Sequence, residues 1–432
     1  MCRSGSANEA NRAETKKYIE DINMLHMTAK IAWASLVRRS ARSILLVLMI
    51  AVSLWGLLFM EGIYDGMTEQ MIGNAIRSDS GHISLFGKGY RLDPDLSRWI
   101  GKEKEVLAAL DTNPRVKSAI TRLKQDGLVA TAHYSRGAVL LGIDLEAEEQ
   151  HGRLGGYLHQ GTFSFGAKGQ GAIIGYKLAE KLQVQVGGKI IVSAQDSLHE
   201  VSSVALRISG ILKTNNMALD ENAVLLSQER MRKLLAVPKD MGAAQIAVLL
   251  QDEGEIARLQ QELREKFPGL DVLRWDELYP ALLQSREMMR VFNLVTNLLI
   301  FCVAALGIFG VMLVSVLERL REFGIMLAVG TRFREICQII LAESLFMGFI
   351  GFGLGALIGG STLYYFKIYG LDLSVFSEAF EEFGMDAVTY ALIRPSYFIT
   401  ALLAVTAATL LSIVIPLRIL NKAKPIEAIN SI

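Results

Sequence analysis

The sequence of 432 residues has few cysteines and no excess of charge of either sign. Its three cysteines are Cys2, Cys302 and Cys337, and none falls between residues 66 and 285, so that region has no disulfide framework. Cys2 directly follows Met1 without a preceding apolar signal, which argues against a lipid-anchored cysteine. The net charge of +1 gives no reason to expect nucleic acid as a partner.

Motifs of enzyme active sites and of metal centres are also missing from the sequence. Its histidines show no H-E-x-x-H spacing and no clustering with cysteine, and no G-x-S-x-G nucleophile elbow occurs. The phosphate-binding pattern G-x-x-x-x-G-K-[ST] is absent as well, and the Gly-rich stretch 151–171 lacks the strand and helix that a phosphate loop needs. We therefore predict a protein that is not an enzyme, holds no metal or other cofactor itself, and does not hydrolyse ATP alone.

Long apolar runs are what the sequence does contain. Hydrophobic residues make up 51% of the chain, the mean hydropathy is +0.32, and the apolar residues are concentrated rather than spread. A helix that spans a membrane needs about 20 mostly apolar residues. Four windows meet this condition, 43–60, 291–317, 344–366 and 395–417, and we predict four transmembrane α-helices.

The basic residues that flank these windows predict an orientation. Short segments rich in Lys and Arg remain on the cytoplasmic side. Such segments precede the first span, connect the second and third, and follow the fourth, whereas the connection between the third and fourth is acidic. We expect both termini in the cytoplasm and the long segment 66–285 outside it.

The region outside the membrane has a mixed pattern of strands and helices. Residues 81–87, 137–143 and 202–212 read as strands, 171–194 reads as strand, short helix, Gly-Gly turn and strand, and 242–278 reads as strand, helix and strand. These alternating units predict a large α+β domain between the first and second spans.

The predicted layout divides the chain into nine segments. They are 1–27, a disordered or mis-annotated N-terminus; 28–65, an amphipathic helix and the first span; 66–285, the outside domain; 286–317, the second span; 318–335, a cytoplasmic coupling helix; 336–366, the third span; 367–394, an external loop; 395–417, the fourth span; and 418–432, a cytoplasmic tail.

The charged segment between the second and third spans has two different faces. On a helical wheel, Leu320, Phe323 and Leu327 fall on one side, and charges interleaved with apolar residues fall on the other. Apolar residues ringed by charge are typical of a protein-docking surface, although an ordinary amphipathic loop remains the alternative. The candidate docking residues are Glu318, Arg319, Arg321, Glu322, Ile325, Met326, Val329, Gly330 and Arg332, with Gly330 ending this helix and Thr331 capping the next.

This segment also carries a family resemblance. "ERLREFGIMLAVGTRFREICQIILAES" resembles the hallmark region of FtsX-like ABC-transporter permeases, with Leu327 standing where the family usually has a basic residue. The tail "PLRILNKAKPIEAI" is similar to the ending of that family. Outside, "GAIIGYKLAEKLQVQVGGKIIV" resembles the periplasmic core domain shared by lipoprotein-releasing (Lol-type) permeases and MacB-type exporters, and "SGHISLFGKGY" resembles a stretch of the lipoprotein-releasing permeases.

The resemblance implies a multi-pass permease of the bacterial inner membrane with a periplasmic domain. Such a permease pairs with a second copy or a paralogue and docks through 318–335 on an ABC ATPase subunit, which binds ATP and Mg²⁺. Its function would be mechanotransmission, in which ATPase closure moves the domain outside, with release of lipoproteins as the favoured role. The alternatives are export of peptides or antibiotics with a periplasmic adaptor, and regulation of a cell-wall hydrolase without transport.

Two further sets of residues follow from this reading. A lipoprotein or other amphiphilic substrate needs an acyl contact near the outer ends of the first two spans, although the same residues are equally suited to facing membrane lipid. The candidates are Leu57, Phe59, Met60, Met289, Phe292 and Val295. Gly351, Gly355 and Gly359 permit close helix packing, either within one subunit or between two. Glu343 is expected to have a structural role at the cytoplasmic boundary.

Overall fold

The computed structural model describes residues 40–238, 242–376 and 387–422, and it divides the chain into two compact units. The first unit takes the described parts of 1–66, 289–371 and 389–432, and the second takes those of 67–288 and 372–388. The predicted N-terminus 1–27, the first part of the predicted amphipathic helix and the end of the tail lie outside the described residues.

The described residues form helices and strands that we number in chain order. The α-helices are α1 Ser40–Ala75, α2 Glu103–Asp111, α3 Leu145–His151, α4 Tyr176–Leu182, α5 Met217–Asn222, α6 Gln228–Leu234, α7 Ile256–Lys266, α8 Trp275–Leu278, α9 Pro280–Glu318, α10 Leu320–Ala328, α11 Phe333–Tyr369 and α12 Pro395–Lys422. The strands are β1 Ile83–Gly87, β2 Val116–Ala130, β3 Ser135–Ile143, β4 Leu158–Gly161, β5 Gly171–Gly175, β6 Lys189–Gln195, β7 Val201–Leu212, β8 Ala223–Ser227, β9 Gln245–Leu250, β10 Leu270–Arg274, β11 Leu371–Asp372 and β12 Val388–Thr389.

Four helices, α1, α9, α11 and α12, contain the predicted spans, and each is long and apolar enough to cross a membrane. Helix α1 has 36 residues and α9 has 39. At about 1.5 Å per residue both are longer than the hydrocarbon core of roughly 30 Å. Buried side chains of α1, α9, α10 and α11 share one apolar core, among them Leu46, Ile308, Phe323 and Ile340.

Ten strands between α1 and α9 form one sheet, which we call the sheet of the inserted domain. The order is β10-β1-β9-β2-β3-β8-β5-β7-β4, and β6 pairs with both β2 and β7. Strands β2, β3, β8, β5, β7 and β6 therefore close into a ring. The remaining strands β10, β1 and β9 form the open part of the sheet. The 15-residue strand β2 belongs to both parts, because it also pairs with β9.

Each part of the inserted domain has its own apolar core. In the open part, α2 and α7 cover the sheet, and Ile256, Leu259 and Leu263 of α7 are buried as their spacing predicts. Residues from several ring strands, such as Leu140, Ile190 and Val224, share a second core. The fold class is confirmed: the described residues contain four helices long and apolar enough to cross a membrane and a large α+β domain inserted between the first two. Strands β2 and β4 and helices α2 and α3 were not predicted from the sequence.

Candidate functional site: the helix between two spans

Helix α10 is a short element with a defined end on the side of α11. Gly330 has a φ of 105°, a conformation that favours glycine. The Thr331 N–H donates to the Met326 carbonyl at 3.0 Å, and the Gly330 N–H donates to the Leu327 carbonyl at 3.1 Å, which is the Schellman arrangement. Gly330 therefore ends the helix as predicted.

The start of α11 differs from the prediction. Arg332, not Thr331, occupies the N-cap position, and its backbone N–H donates to the Glu335 carboxylate at 3.3 Å. The physical reason is that the Arg332 backbone is still extended, with a ψ of 141°, and that Glu335 at the third helical position bonds the N–H of Arg332 and not that of Thr331.

The inner side of α10 is fixed to the long helices by packing and by charge. The Phe323 side chain is buried in the core that α1, α9 and α11 share. The Arg319 guanidinium donates to the Glu343 carboxylate of α11 at 2.6 Å and lies 4.9 Å from the centre of the Phe323 ring. Both side chains of the ion pair are about nine-tenths buried. The pair joins the start of α10 to α11, and Arg319 is the structural partner of Glu343.

The outer side of α10 is exposed and combines apolar with charged residues. Ile325 is 50% exposed and Val329 is 82% exposed, which are large values for apolar side chains in a folded protein. Charged residues surround them, and the exposed members of the predicted docking set are Glu318, Arg321, Glu322, Ile325, Val329, Gly330 and Arg332. We call these seven residues the docking face.

Two members of the predicted docking set do not belong to this face. Arg319 is turned inward by its ion pair with Glu343, and Met326 is partly buried against the core. Ala328 of α10 is exposed as well. The arrangement holds no nucleophile or acid–base pair, and its geometry suits binding of another protein rather than catalysis.

The six predicted acyl-contact residues are separated by the structure. Leu57 is buried toward α9 and α12, where it lines a small cavity, whereas Phe59 faces the Phe366 ring of α11 at 5.7 Å. Phe292 and Val295 are exposed on α9. Successive residues of a helix are about 100° apart, so Leu57 and Phe59 point to nearly opposite sides of α1. These side chains therefore do not line one shared cavity within the chain, and their contact with an acyl group stays a prediction. Met60 and Met289 are half-buried.

A different apolar groove lies between α1 and α9, and it was not predicted from the sequence. Its volume is about 570 Å³, and its lining includes Leu45, Leu48, Val52 and Val303. The helical spacing of the apolar residues at 45, 48 and 52 within the first span could have predicted this apolar face of α1.

The glycine stripe of α11 packs against α1 of the same chain. A Cβ atom added at Gly351 would lie 2.7 Å from Cβ of Ile50, and one added at Gly355 would lie 2.9 Å from the carbonyl oxygen of Ala51. At Gly359 it would meet the Leu58 side chain at 2.8 Å. Of the two open readings, the structure shows packing within one subunit, and we call this contact the glycine seam.

A polar cluster at the end of the first span was also missed. The Asn297 amide of α9 donates to the Glu61 carboxylate at 3.1 Å. The Tyr397 hydroxyl of α12 donates to the Asp65 carboxylate, which also lies 3.5 Å from the Arg394 guanidinium. Glu61 and Asp65 directly follow the apolar window, and their spacing by one helical turn was the available signal.

Two family models match this chain. Residues 294–425 match the model of the FtsX-like permease C-terminal region, and residues 43–266 match the model of the MacB-like periplasmic core domain, which alone covers more than half of the chain. The chain is an FtsX-like permease with a MacB-like periplasmic core domain. Proteins of this family are transporter permeases and not enzymes.

Two relatives of this permease carry different kinds of name. A macrolide export ATP-binding/permease protein MacB of Syntrophobacter fumaroxidans is 36% identical over 107 residues, which are 24% of this chain and 15% of that protein. The lipoprotein-releasing system transmembrane protein LolE of Haemophilus influenzae is 20% identical over 338 residues, 77% of each chain. The permease thus spans a small part of the first relative and most of the second.

Among solved structures, the periplasmic region of MacB from Actinobacillus actinomycetemcomitans matches with a TM-score of 0.33 and 13% identity. That match covers 48% of this permease and 94% of the other chain.

Proposed function

We propose that this permease is the membrane subunit of an ABC transporter, and that it couples ATP hydrolysis by a separate ATPase subunit to a conformational change of the inserted domain. The observation that carries the proposal is the docking face: Ile325 and Val329 are exposed within a ring of charge on a helix that is itself fixed by Phe323 and Arg319. A push on such a helix moves α9 and α11 instead of deforming a loop.

The same proposal assigns each part of the chain to one side of the membrane. The docking face is cytoplasmic, both termini are cytoplasmic, and the inserted domain is periplasmic, with the four helices in a bacterial inner membrane. The support is the distribution of Lys and Arg next to the spans. ATP and Mg²⁺ belong to the ATPase subunit, and the functional assembly contains a second copy or paralogue of the permease.

Lipoprotein release is the role that we favour. The relative that matches along 77% of both chains is named a lipoprotein-releasing system transmembrane protein. To test this role, the protein is depleted from cells, and lipoproteins are quantified in separated inner and outer membranes. We expect lipoproteins to accumulate in the inner membrane.

A second candidate is export of a drug-like or peptide substrate with a periplasmic adaptor. It is favoured by the 36% identity with a protein named for macrolide export, over 107 residues. In the depletion experiment, an unchanged distribution of lipoproteins together with greater sensitivity to macrolides would select this candidate over the first.

The docking face is tested separately by one substitution. Val329→Glu places a carboxylate in the centre of the exposed apolar surface, where a bound partner would have to desolvate it. We expect loss of co-purification with the ATPase while membrane insertion is retained. Leu92→Glu is the matched control, since Leu92 is also highly exposed but lies in the inserted domain. Equal recovery of the ATPase with Val329→Glu and with wild type would contradict the proposal.

A further inference from the structure

The chain enters the inserted domain through a turn that is tightly held. Residues Ile76–Ser80 form a π-helical turn that continues α1, and four of its five residues are buried. The Ser78 hydroxyl accepts a hydrogen bond from the Asn216 amide at 2.8 Å, and the Gln245 amide donates to the Asp79 carbonyl at 3.2 Å. The turn is therefore bonded to α5 and to β9 through its side chains and backbone.

A buried arginine joins this turn to the middle of the sheet. Arg122 lies on β2 and is only 2% exposed. Its guanidinium donates two hydrogen bonds of 2.6 Å to the Glu148 carboxylate of α3, and a third nitrogen donates to the Asp79 carbonyl. The same nitrogen is 3.7 Å from the Asp79 carboxylate. A charge in such a position requires this pairing, because an unpaired buried charge is strongly unfavourable.

The chain leaves the inserted domain at the same point. Tyr279 is the last residue before α9, and its hydroxyl donates to the Asp79 carboxylate. Four residues earlier, the Trp275 N–H donates to the His82 carbonyl at 3.2 Å. The segment that follows α1 and the segment that precedes α9 are thus bonded to each other at one carboxylate, and through Arg122 to β2.

From this arrangement we infer that Asp79, Arg122 and Tyr279 form a joint that makes both segments move with the sheet, so that displacement of α1 and α9 reaches the inserted domain. The three are positioning residues, and the inference rests on the proposed function. Stability alone does not account for a charged cluster here, since well-packed apolar residues often stabilise a core as well as or better than a buried ion pair. Charge-assisted hydrogen bonds additionally fix orientation, which transmission of movement requires.

The test uses Tyr279→Phe in the full-length permease, with Tyr134→Phe as the matched control. Both substitutions delete one hydroxyl, and that of Tyr134 donates to Gln183 at 3.0 Å, away from the joint. The first measurement is hydrogen exchange of the Gly81 and His82 amides, which bond to the Ile76 and Val248 carbonyls. We expect exchange to be about tenfold faster in Tyr279→Phe, the effect of losing a hydrogen bond to a charged group, and unchanged in Tyr134→Phe.

The second measurement is whether the nucleotide state reaches the inserted domain. The permease is assembled with its ATPase in lipid nanodiscs, and the change in hydrogen exchange of β7 on adding ATP and vanadate is recorded. We expect this change to be several-fold smaller in Tyr279→Phe than in wild type or Tyr134→Phe, at an equal rate of ATP hydrolysis. A role in stability only would lower the rate of hydrolysis and the response together.

Two results would overturn the joint. One is unchanged exchange at Gly81 and His82 in Tyr279→Phe, and the other is faster exchange with a nucleotide response equal to that of wild type. Lipoprotein release is measured on the same samples. If wild type shows the nucleotide response but releases no lipoprotein, the favoured substrate is wrong and the joint stands; if wild type shows no nucleotide response, the joint carries no movement and is refuted.

Discussion

His151 is a buried side chain next to the Arg122 cluster, and it makes the stability of the inserted domain depend on pH. Its Nδ1 lies 2.8 Å from the Ser118 hydroxyl. Burial, and after it the positive charge of Arg122, lowers the pKa of His151 to about 3. Since the pKa in the folded state lies below the ordinary value, the stability that neutral His151 provides is complete above about pH 6.5 and is lost as the pH falls toward 3.

The expected effect of pH is large enough to measure. Between pH 6.5 and 4.5 this one group lowers the free energy of unfolding by about 2–3 kcal/mol. In His151→Gln, thermal unfolding of the purified protein should therefore shift less over this interval than in wild type. His159→Gln, at an exposed histidine, is the control and should follow wild type. Parallel curves for wild type and His151→Gln would contradict the prediction.

The Arg319–Glu343 pair predicts a contrast between two glutamates that the same arginine contacts. Glu343→Ala leaves the buried Arg319 without its main partner, which we expect to lower the free energy of unfolding by about 3–5 kcal/mol. Glu322→Ala removes a carboxylate 3.2 Å from Arg319 but mostly exposed, and should change it by about 1 kcal/mol or less. Thermal unfolding in detergent compares the two variants, and equal shifts would show that burial of the pair does not matter.

Arg122 shows why a buried ion pair between distant parts of the chain could not be predicted from the sequence. Its partners Asp79 and Glu148 lie 43 and 26 positions away in the chain, and neither belongs to the same strand as Arg122. Only the tertiary packing of α3 and of the turn 76–80 beside β2 brings them together. The docking set, by contrast, comes from one short stretch of the sequence, and seven of its nine predicted residues are exposed in the structure.

At the scale of elements, the glycine seam predicts which glycines of α11 tolerate a larger side chain. Gly355→Leu would drive its side chain into Ala51 and Leu54 of α1, and we expect overpacking to cost about 1–3 kcal/mol. Gly353→Leu is the matched control, because no atom lies within 4 Å of a Cβ added there. Thermal unfolding of the two variants in detergent is the measurement, and equal tolerance at both positions would refute the seam.

The elements that were predicted correctly include short apolar strands that are buried along their whole length, such as β1 and β9. Helix α7 and strand β7 show the periodicity of one buried face directly in the sequence. Strand β2 does not, because its first half pairs with β9 in the open part of the sheet and its second half pairs with β3 and β6 in the ring. Each half meets a different core, so no single alternation extends through its 15 residues.

For the whole molecule, the proposed orientation predicts opposite labelling of two exposed sites. In a variant whose natural cysteines are replaced, single cysteines are introduced at Val329 on the docking face and at Leu198 in the inserted domain, both highly exposed. On intact spheroplasts, a membrane-impermeant maleimide should label Leu198→Cys at once and Val329→Cys only after permeabilisation. Labelling of both sites before permeabilisation would refute force transmission across the membrane.

The closed ring of the inserted domain limits how another protein can bind by β-augmentation. Every strand of the ring has a neighbour on both sides along part of its length, and backbone paired on one side only remains at 135–138 of β3 and 201–206 of β7. Among the described residues, the sheet ends only at β10 and at the four-residue strand β4. A partner that extends this sheet has to align its own strand with one of these short margins, and any other partner has to recognise side chains.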